Sequence, residues 1–403
     1  MRIFSLDKFP VENKTILVRV DYNVPLDENK KKVIDNSRIK ISLPTIKYLL
    51  KNNCKIILMT HLGRPKGKVV EEFRLNPIFK ELKKLLPTEK ITKLNDCIGK
   101  EVVDKIKKGK PKQIFLLENL RFYKEEEEND YAFAGSLARL ADVYVNDAFS
   151  VSHRAHASVQ AITKYLPSLC GFQLKKEILS LNSVLASPGP AVWILGGAKL
   201  DKINLIKQAL KKADYILIGG ALSFSFMKAQ GKEVGLSKID STSVQLAADL
   251  LKRKEAQKII LPVDFMVTES FTSRAKTKVV EIIKNKEIAL DIGPRTIKLF
   301  KQYLRRAVTI FWNGPLGYYE WSQFATGTKE IGKFLGTLTA TSICGGGETA
   351  EAIEKFHLGD KISHISSGGG AALAFISGEK LPAIEALGKN YLQFSKRMSK
   401  LTQ

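Results

Sequence analysis

Short runs of β-branched and aliphatic residues recur along this chain. Each is followed by glycine or polar residues, then by a segment with apolar positions at helical spacing. In the first half the runs fall at 15–20, 55–60, 113–117 and 143–146; in the second half at 191–195, 215–218, 258–262, 309–312, 341–344 and 364–366. Helix-period stretches lie between them, among them 37–51, 130–141, 202–212, 243–253 and 349–356. Strand alternating with helix predicts parallel sheets covered on both faces. Strands that are apolar throughout, not alternating, agree with burial on both sides. A further helix is predicted over 171–186, with apolar residues at 174, 178, 181, 184 and 185, ended by SPGP at 187–190.

The expected fold class is therefore α/β: two doubly wound parallel-sheet (Rossmann-like) domains facing a cleft, joined by a hinge helix. The expected spans are 1–169 and 187–380, with 170–186 as the hinge and 381–403 as a C-terminal segment that packs back on the first domain or stays loose. A length of 403 residues leaves room for two domains of roughly 150–200 residues each.

Composition changes the picture in one respect. The chain carries 65 Lys and Arg against 41 Asp and Glu, a net charge of +24. That excess suggests anionic partners: nucleic acid, a membrane surface or phosphorylated metabolites. It is spread evenly, +11 over residues 1–168 (32 basic, 21 acidic) and +13 over the rest (33 and 20), which excludes a basic arm. The acidic run EEEE at 125–128 reads as a solvated helix start. Four separated cysteines without a CxxC pair fit a reducing cytosol. No leader peptide and no membrane span are expected.

Ligands of open parallel sheets bind beyond the carboxyl ends of the strands. In the first half those loops read RVDYNVP (19–25), HLGRP (61–65), ENLRF (118–122) and NDAFSVSHRAHAS (146–158). Each offers an arginine, which suits a small polyanion because the guanidinium fork binds phosphate or carboxylate bidentately. His153 and His156, three apart, have no third metal ligand nearby. In the second half the loops are glycine-rich: GGAK (196–199), GGA (219–221), NGPLG (313–317), GGGET (345–349) and SSGGG (366–370). Glycine lets backbone approach a ligand, and a following helix points its N–H groups at phosphate. A Walker A loop and a GxSxG hydrolase elbow are missing. Gly345, Gly347 and Ala350 match GxGxxA without the acidic residue that dinucleotide binding needs. A small polyanion on one domain and a nucleotide on the other imply phosphoryl transfer.

At these loops the chain resembles phosphoglycerate kinase, over nearly its whole length and in order: VRVDYNVP (18–25), HLGRP (61–65), ENLRF (118–122), DVYVNDAF (142–149), HRAHAS (153–158), LGGAK (195–199), LPVD (261–264), LDIGP (290–294), WNGPLG (312–317), GGGET (345–349) and HISSGGGA (364–371). The resemblance implies reversible transfer from 1,3-bisphosphoglycerate to ADP, giving 3-phosphoglycerate and ATP, with Mg2+ and closure about the hinge. It implies that Asp21 and Asn23 hold the hydroxyl and carboxylate end of the acid, and that His61, Arg64, Arg121 and Arg154 grip its far phosphate. Arg38 would lie nearest the transferred group and Lys199 would follow it. The implied nucleotide set is Gly197, Ala198, Lys199, Lys202, Gly220, Asn313, Pro315, Gly317, Glu320 at the ribose, and Gly346, Gly347, Glu348 and Thr349 at the phosphates, with Glu348 reaching Mg2+ directly or through water. A cytoplasmic monomer is expected, with small-molecule partners and neither nucleic acid nor membrane.

The chain departs from the family pattern in places. One residue is missing between Lys199 and Lys202, which on a helix start turns the second lysine by about 100°. Ala221 stands for the usual third glycine, Glu348 for aspartate, Ser150 for glycine and Ser367 for threonine. These leave open a member with altered nucleotide preference or rate, or one kept for nucleic-acid binding.

Overall fold

The computed structural model describes residues 2–197, 203–239 and 241–398. The chain divides into two compact units, Met1–Ile178 with Lys380–Gln403, and Leu179–Glu379.

The first unit is built on seven strands: β1 Phe4–Ser5, β2 Thr15–Arg19, β3 Lys55–Met59, β4 Ile91–Lys93, β5 Ile114–Leu116, β6 Val143–Asn146 and β7 Ser168–Cys170. All pair in parallel, in the order β1-β7-β6-β2-β3-β5-β4. Strands β1, β4 and β7 are too short to stand out in the sequence. Successive residues feed opposite faces. Ile16, Val18, Ile56 and Leu58 join one core with Ile46, Leu49 and Leu82. Leu17, Ile57 and Met59 join another with Phe115, Leu137 and Ile162. The strand order reverses between β2 and β6, so the loops after β2, β3 and β6 gather where a doubly wound sheet opens a crevice. Register places Arg19 level with Met59 and Asn146.

The helix predicted over 37–51 is two, Ser37–Lys40 and Leu43–Lys51. Pro44 lies in the first turn of the second, where its missing N–H costs nothing and its fixed φ starts a new helix. The final helix, Pro382–Met398, is fastened to this unit by buried Asn390. Its Oδ1 accepts from the Ser168 amide at 2.9 Å, and its Nδ2 donates to the carbonyls of Leu166 and Thr163.

The second unit opens with β8 Ala191–Leu195, β9 Tyr215–Ile218 and β10 Ile259–Ile260. Three strands, β11 Phe265–Thr268, β12 Lys278–Val280 and β13 Ile288–Ile292, then form a separate sheet, followed by β14 Thr309–Asn313, β15 Thr341–Gly345 and β16 His364–Ile365. The parallel sheet runs β10-β9-β8-β14-β15-β16, with its reversal between β8 and β14. The small sheet, β12-β11-β13, is antiparallel and was not foreseen. Its edge strand β12, Lys-Val-Val, is short and largely exposed.

Two parallel sheets with covering helices give the expected fold class. No helix among the described residues is long and apolar enough to cross a membrane.

Candidate active site

In the first unit a cationic cluster forms at the reversal point. His61, straight after β3, is buried. Arg121 follows β5 in a short helical turn, Leu120–Phe122, held by Asn119. The Asn119 amide ties two loops together. Its Oδ1 accepts from the amides of Leu62 and Arg121, and its Nδ2 donates to the carbonyls of Leu62 and Phe73.

Arg121 is 3% exposed. Nη1 donates to the Gly63 carbonyl at 2.9 Å, and Nε lies 3.1 Å from a carboxylate oxygen of Glu127 without hydrogen-bond alignment. Nη2 has no hydrogen-bond partner. Burial lowers the Arg121 pKa, and the group remains a cation. A buried guanidinium nitrogen without an acceptor asks for an anion.

Burial first, then the charges of Arg19, Arg121 and Arg154, hold His61 well below its usual pKa. Burial and the same three arginines, Arg121 foremost, push His156 down to about 3. Both rings are thus neutral at physiological pH. Arg154 is half-buried and donates through Nε to Nε2 of His153 at 3.2 Å.

Asp21 accepts from Arg38 Nη1 and from the Ser150 hydroxyl on one oxygen, and from the Asn23 amide on the other. Ser150 is thereby bonded to one of the expected substrate residues. Asn23 Oδ1 accepts from the Gly63 amide at 2.9 Å, joining the loop after β2 to the loop after β3. Arg64 is exposed, and nothing among the described residues ties its side chain to the cluster. Among the described residues no group of three His, Cys, Asp or Glu side chains that could hold a metal ion exists.

Two findings correct the sequence-based reading. Arg19, counted among the anion-facing arginines, is 1% exposed and bonded to Ser158, to the Val20 carbonyl and to His61. Glu126, placed in a solvated acidic run, is fully buried and accepts two hydrogen bonds from Ser158. A run of four glutamates gives no hint of which one turns inward.

In the second unit the glycine loops meet at the β8/β14 reversal. The Gly196 amide donates to the Asn313 carbonyl, Gly197 to Pro315, and Gly220 to Leu316. Gly197 and Gly220 have φ of 81° and 56°, and a Cβ on Gly220 would lie 2.7 Å from the Gly197 nitrogen. Only glycine fits both demands there. Thr349 is buried; its hydroxyl donates to the Gly345 carbonyl and accepts from the Gly314 amide. Asn313 donates through Nδ2 to the Gly345 carbonyl, and its buried Oδ1 has no hydrogen-bond partner. Gly346, with φ 93°, precedes the helix Gly347–Lys355, whose second residue is Glu348.

Beside these loops lies a cavity of about 440 Å³. Gly197, Gly220, Pro315 and Gly317 line one side, and Glu320 and Glu348 contribute carboxylates. Phe224, Leu236, Phe265, Phe271 and Leu290 supply apolar wall. This wall comes largely from the unforeseen antiparallel sheet and the helix Gly220–Ala229, and no local motif announced it. Ala221, at the position of a usual glycine, also lines the cavity. Ala198, Lys199 and Lys202 lie outside the described residues.

Buried aspartates serve the helices of this unit. Asp264 accepts from the amides of Arg295 and Thr296 at the start of the helix Pro294–Leu304. Asp291 accepts from the amides of Ile292 and Gly327, the latter in the first turn of the helix Thr326–Leu335.

A buried cationic cluster in one unit and a glycine-framed cavity of about 440 Å³ in the other are the parts a small-molecule kinase requires. The sequence model of phosphoglycerate kinase matches residues 6–379. The chain is 46% identical to phosphoglycerate kinase of Moorella thermoacetica over 393 residues, covering 96% of this chain and 99% of the relative. It is also 46% identical to that of Finegoldia magna over 390 residues, 95% and 98% of the two chains. The structure of phosphoglycerate kinase from Coxiella burnetii superposes with a TM-score of 0.88 at 34% identity, covering 96% of this chain and 99% of the other. That from Pyrococcus horikoshii gives 0.83 at 32% identity, covering 97% and 100%. The chain belongs to the phosphoglycerate kinase family, and its activity is phosphoryl transfer.

Proposed function

We propose that the cationic cluster of the first unit binds 3-phosphoglycerate and 1,3-bisphosphoglycerate, and that the cavity of the second binds ADP and ATP. The observation that carries the first assignment is Nη2 of Arg121, buried and without a hydrogen-bond acceptor, with Arg154 and Arg19 nearby. Arg121, Arg154, His61 and Arg64 grip the phosphate that stays. Asp21 and Asn23 orient the other end of the acid. Arg38, half-exposed and paired to Asp21, faces the transferred group.

In the nucleotide site the apolar walls hold the base and Glu320 holds the ribose. Asn313 and the loop Gly346–Thr349 meet the phosphates, with Lys199 following the transferred group and Lys202 on the nucleotide phosphates. In the ATP-consuming direction a carboxylate oxygen of 3-phosphoglycerate attacks the γ-phosphorus in line while its bond to the β–γ bridging oxygen breaks, giving 1,3-bisphosphoglycerate and ADP. No general base is needed, because the nucleophile is already an anion. Catalysis is positioning plus neutralisation of charge on the equatorial oxygens.

Mg2+ fits this site through Glu348. One carboxylate with phosphate oxygens and water is the usual magnesium shell, and no three-residue protein cage is required. Bound there, the ion supplies charge neutralisation on the phosphates. Transfer also requires the bound substrates to meet, so we further propose closure about 170–186, in a cytoplasmic monomer.

A coupled assay with 1,3-bisphosphoglycerate and ADP tests the proposal. Turnover abolished by a chelator and restored by Mg2+ is expected, as is loss of turnover in a folded Lys199→Ala variant. Near-normal kcat in that variant would refute the role of Lys199.

A further inference from the structure

Behind the cationic cluster a buried chain of hydrogen bonds has a fixed direction. The Ser158 hydroxyl gives its one hydrogen to Glu126 Oε1 at 2.6 Å, and the Ser158 amide donates to Oε2 at 2.9 Å. With its hydrogen committed, the Ser158 oxygen accepts from Arg19 Nε at 2.9 Å. Arg19 Nη1 donates to the Val20 carbonyl, and Nη2 reaches Nδ1 of His61 at 3.1 Å. A guanidinium has no acceptor. Nδ1 of His61 must therefore accept, and the neutral ring carries its proton on Nε2. Nearby, Nη2 of Arg19 and Nδ1 of His156 stand 4.0 and 3.8 Å from Glu126 Oε1.

We propose that Glu126 is a positioning residue of the anion site: it fixes Arg19 and, through Arg19, the Nε2–H tautomer with which His61 donates to the phosphate. The inference rests on the anion-site reading above and extends it to a residue that touches no substrate. Both carboxylate oxygens are acceptors here, and two donors of Ser158 need them at once. Glutamine has the same shape but one acceptor oxygen, so its NH2 group would face a donor. Arg19, fully buried, would also lose its counter-charge, which a buried cation does not tolerate in place.

The test uses the full chain labelled with 15N-histidine, in the wild type and in Glu126→Gln and Ser158→Ala. The chain has five histidines, so His61 is assigned by the resonance lost in His61→Gln. In the wild type the His61 ring should appear as a single neutral Nε2–H form. In either folded variant it should become a mixture or move to Nδ1–H. KM for 3-phosphoglycerate should rise about tenfold, with kcat and the nucleotide KM within about threefold, as expected for a misplaced binding group. An unchanged His61 tautomer, or an unchanged KM for 3-phosphoglycerate, in a folded variant overturns the proposal. If Glu126→Gln does not fold, Ser158→Ala cuts the same chain and carries both readouts. Failure of the anion-site reading shows separately, as a wild type that 3-phosphoglycerate does not saturate, while the tautomer arm still reads the network.

Discussion

Gly171 stands directly against Asp147: a Cβ on Gly171 would lie 2.3 Å from Oδ1 of the aspartate. That same oxygen accepts from the amides of Gln173 and Leu174 and so caps the helix Phe172–Leu185 from the end of β6. The glycine is required by the buried carboxylate, not by its backbone angles. Gly171→Ala should destabilise the protein by about 1–3 kcal/mol, the usual cost of overpacking a closed site. Urea unfolding reads this as a lower midpoint; an unchanged midpoint would show that the cap yields freely.

Asp291 in β13 makes the pH response of stability predictable. Burial raises its pKa to about 8, against weaker opposing bonds from backbone amides. The folded state therefore holds this proton more tightly than the unfolded chain does. The stabilisation is full below about pH 4, where the unfolded group is also protonated, and is lost as pH rises through about 8. Asp291→Asn removes this dependence. Wild type should lose stability relative to the variant between pH 4 and 8, by a few kcal/mol at most. Parallel profiles for the two proteins would contradict the assignment.

Arg121→Lys tests the carrying observation of the anion site. A lysine has a single nitrogen, so it cannot hold the Gly63 carbonyl and present a second donor from a rigid fork. KM for 3-phosphoglycerate should rise on the order of tenfold or more, matching a lost charge-assisted hydrogen bond, with the nucleotide KM unchanged. Equal changes in both constants would point instead to general disruption of the fold.

Thr349→Val addresses the glycine loops of the second unit. Its hydroxyl holds the Gly314 amide at 2.7 Å and the Gly345 carbonyl at 3.0 Å, so valine would strand the Gly314 amide, while the Gly345 carbonyl keeps its bond from Asn313. About 1–3 kcal/mol per unsatisfied buried group is the expected scale. Nucleotide KM should rise while 3-phosphoglycerate KM holds. Titration of the folded variant with ADP, followed by calorimetry, reads the loss directly; full affinity would show that the loop is held by other bonds.

The parallel strands were legible because burial on both faces writes them as continuous apolar runs: β2, β3, β8 and β14 match their sequence segments within a residue. The antiparallel sheet was not legible, because β12 is a short exposed edge, β11 is not followed by a helix, and Asp291 interrupts the apolar run of β13. Among site residues, the sequence marks those that stand in short loops after strands, such as His61, Arg121 and Asn313. It does not mark Glu126, which is one of four identical neighbours and is selected only by the distant Ser158. The motifs LPVD and LDIGP were visible as strings, yet their role could not be read. Asp264 and Asp291 cap helices that begin 30 or more residues later in the chain, and only the fold brings donor and acceptor together.

Asn390 and Ser168 are bonded across 222 residues of sequence, and the whole second unit lies between them. During synthesis the first unit is therefore started first and finished last. At 5–20 residues per second, roughly ten to forty-five seconds pass between the emergence of Ser168 and that of Asn390. Through that interval the amide of Ser168 and the carbonyls of Thr163 and Leu166 wait without their Asn390 partner, at a strand that β1 and β6 already flank. The order of translation and the order of completion run opposite ways in this molecule. The first unit lacks this closing contact for as long as the second is being made.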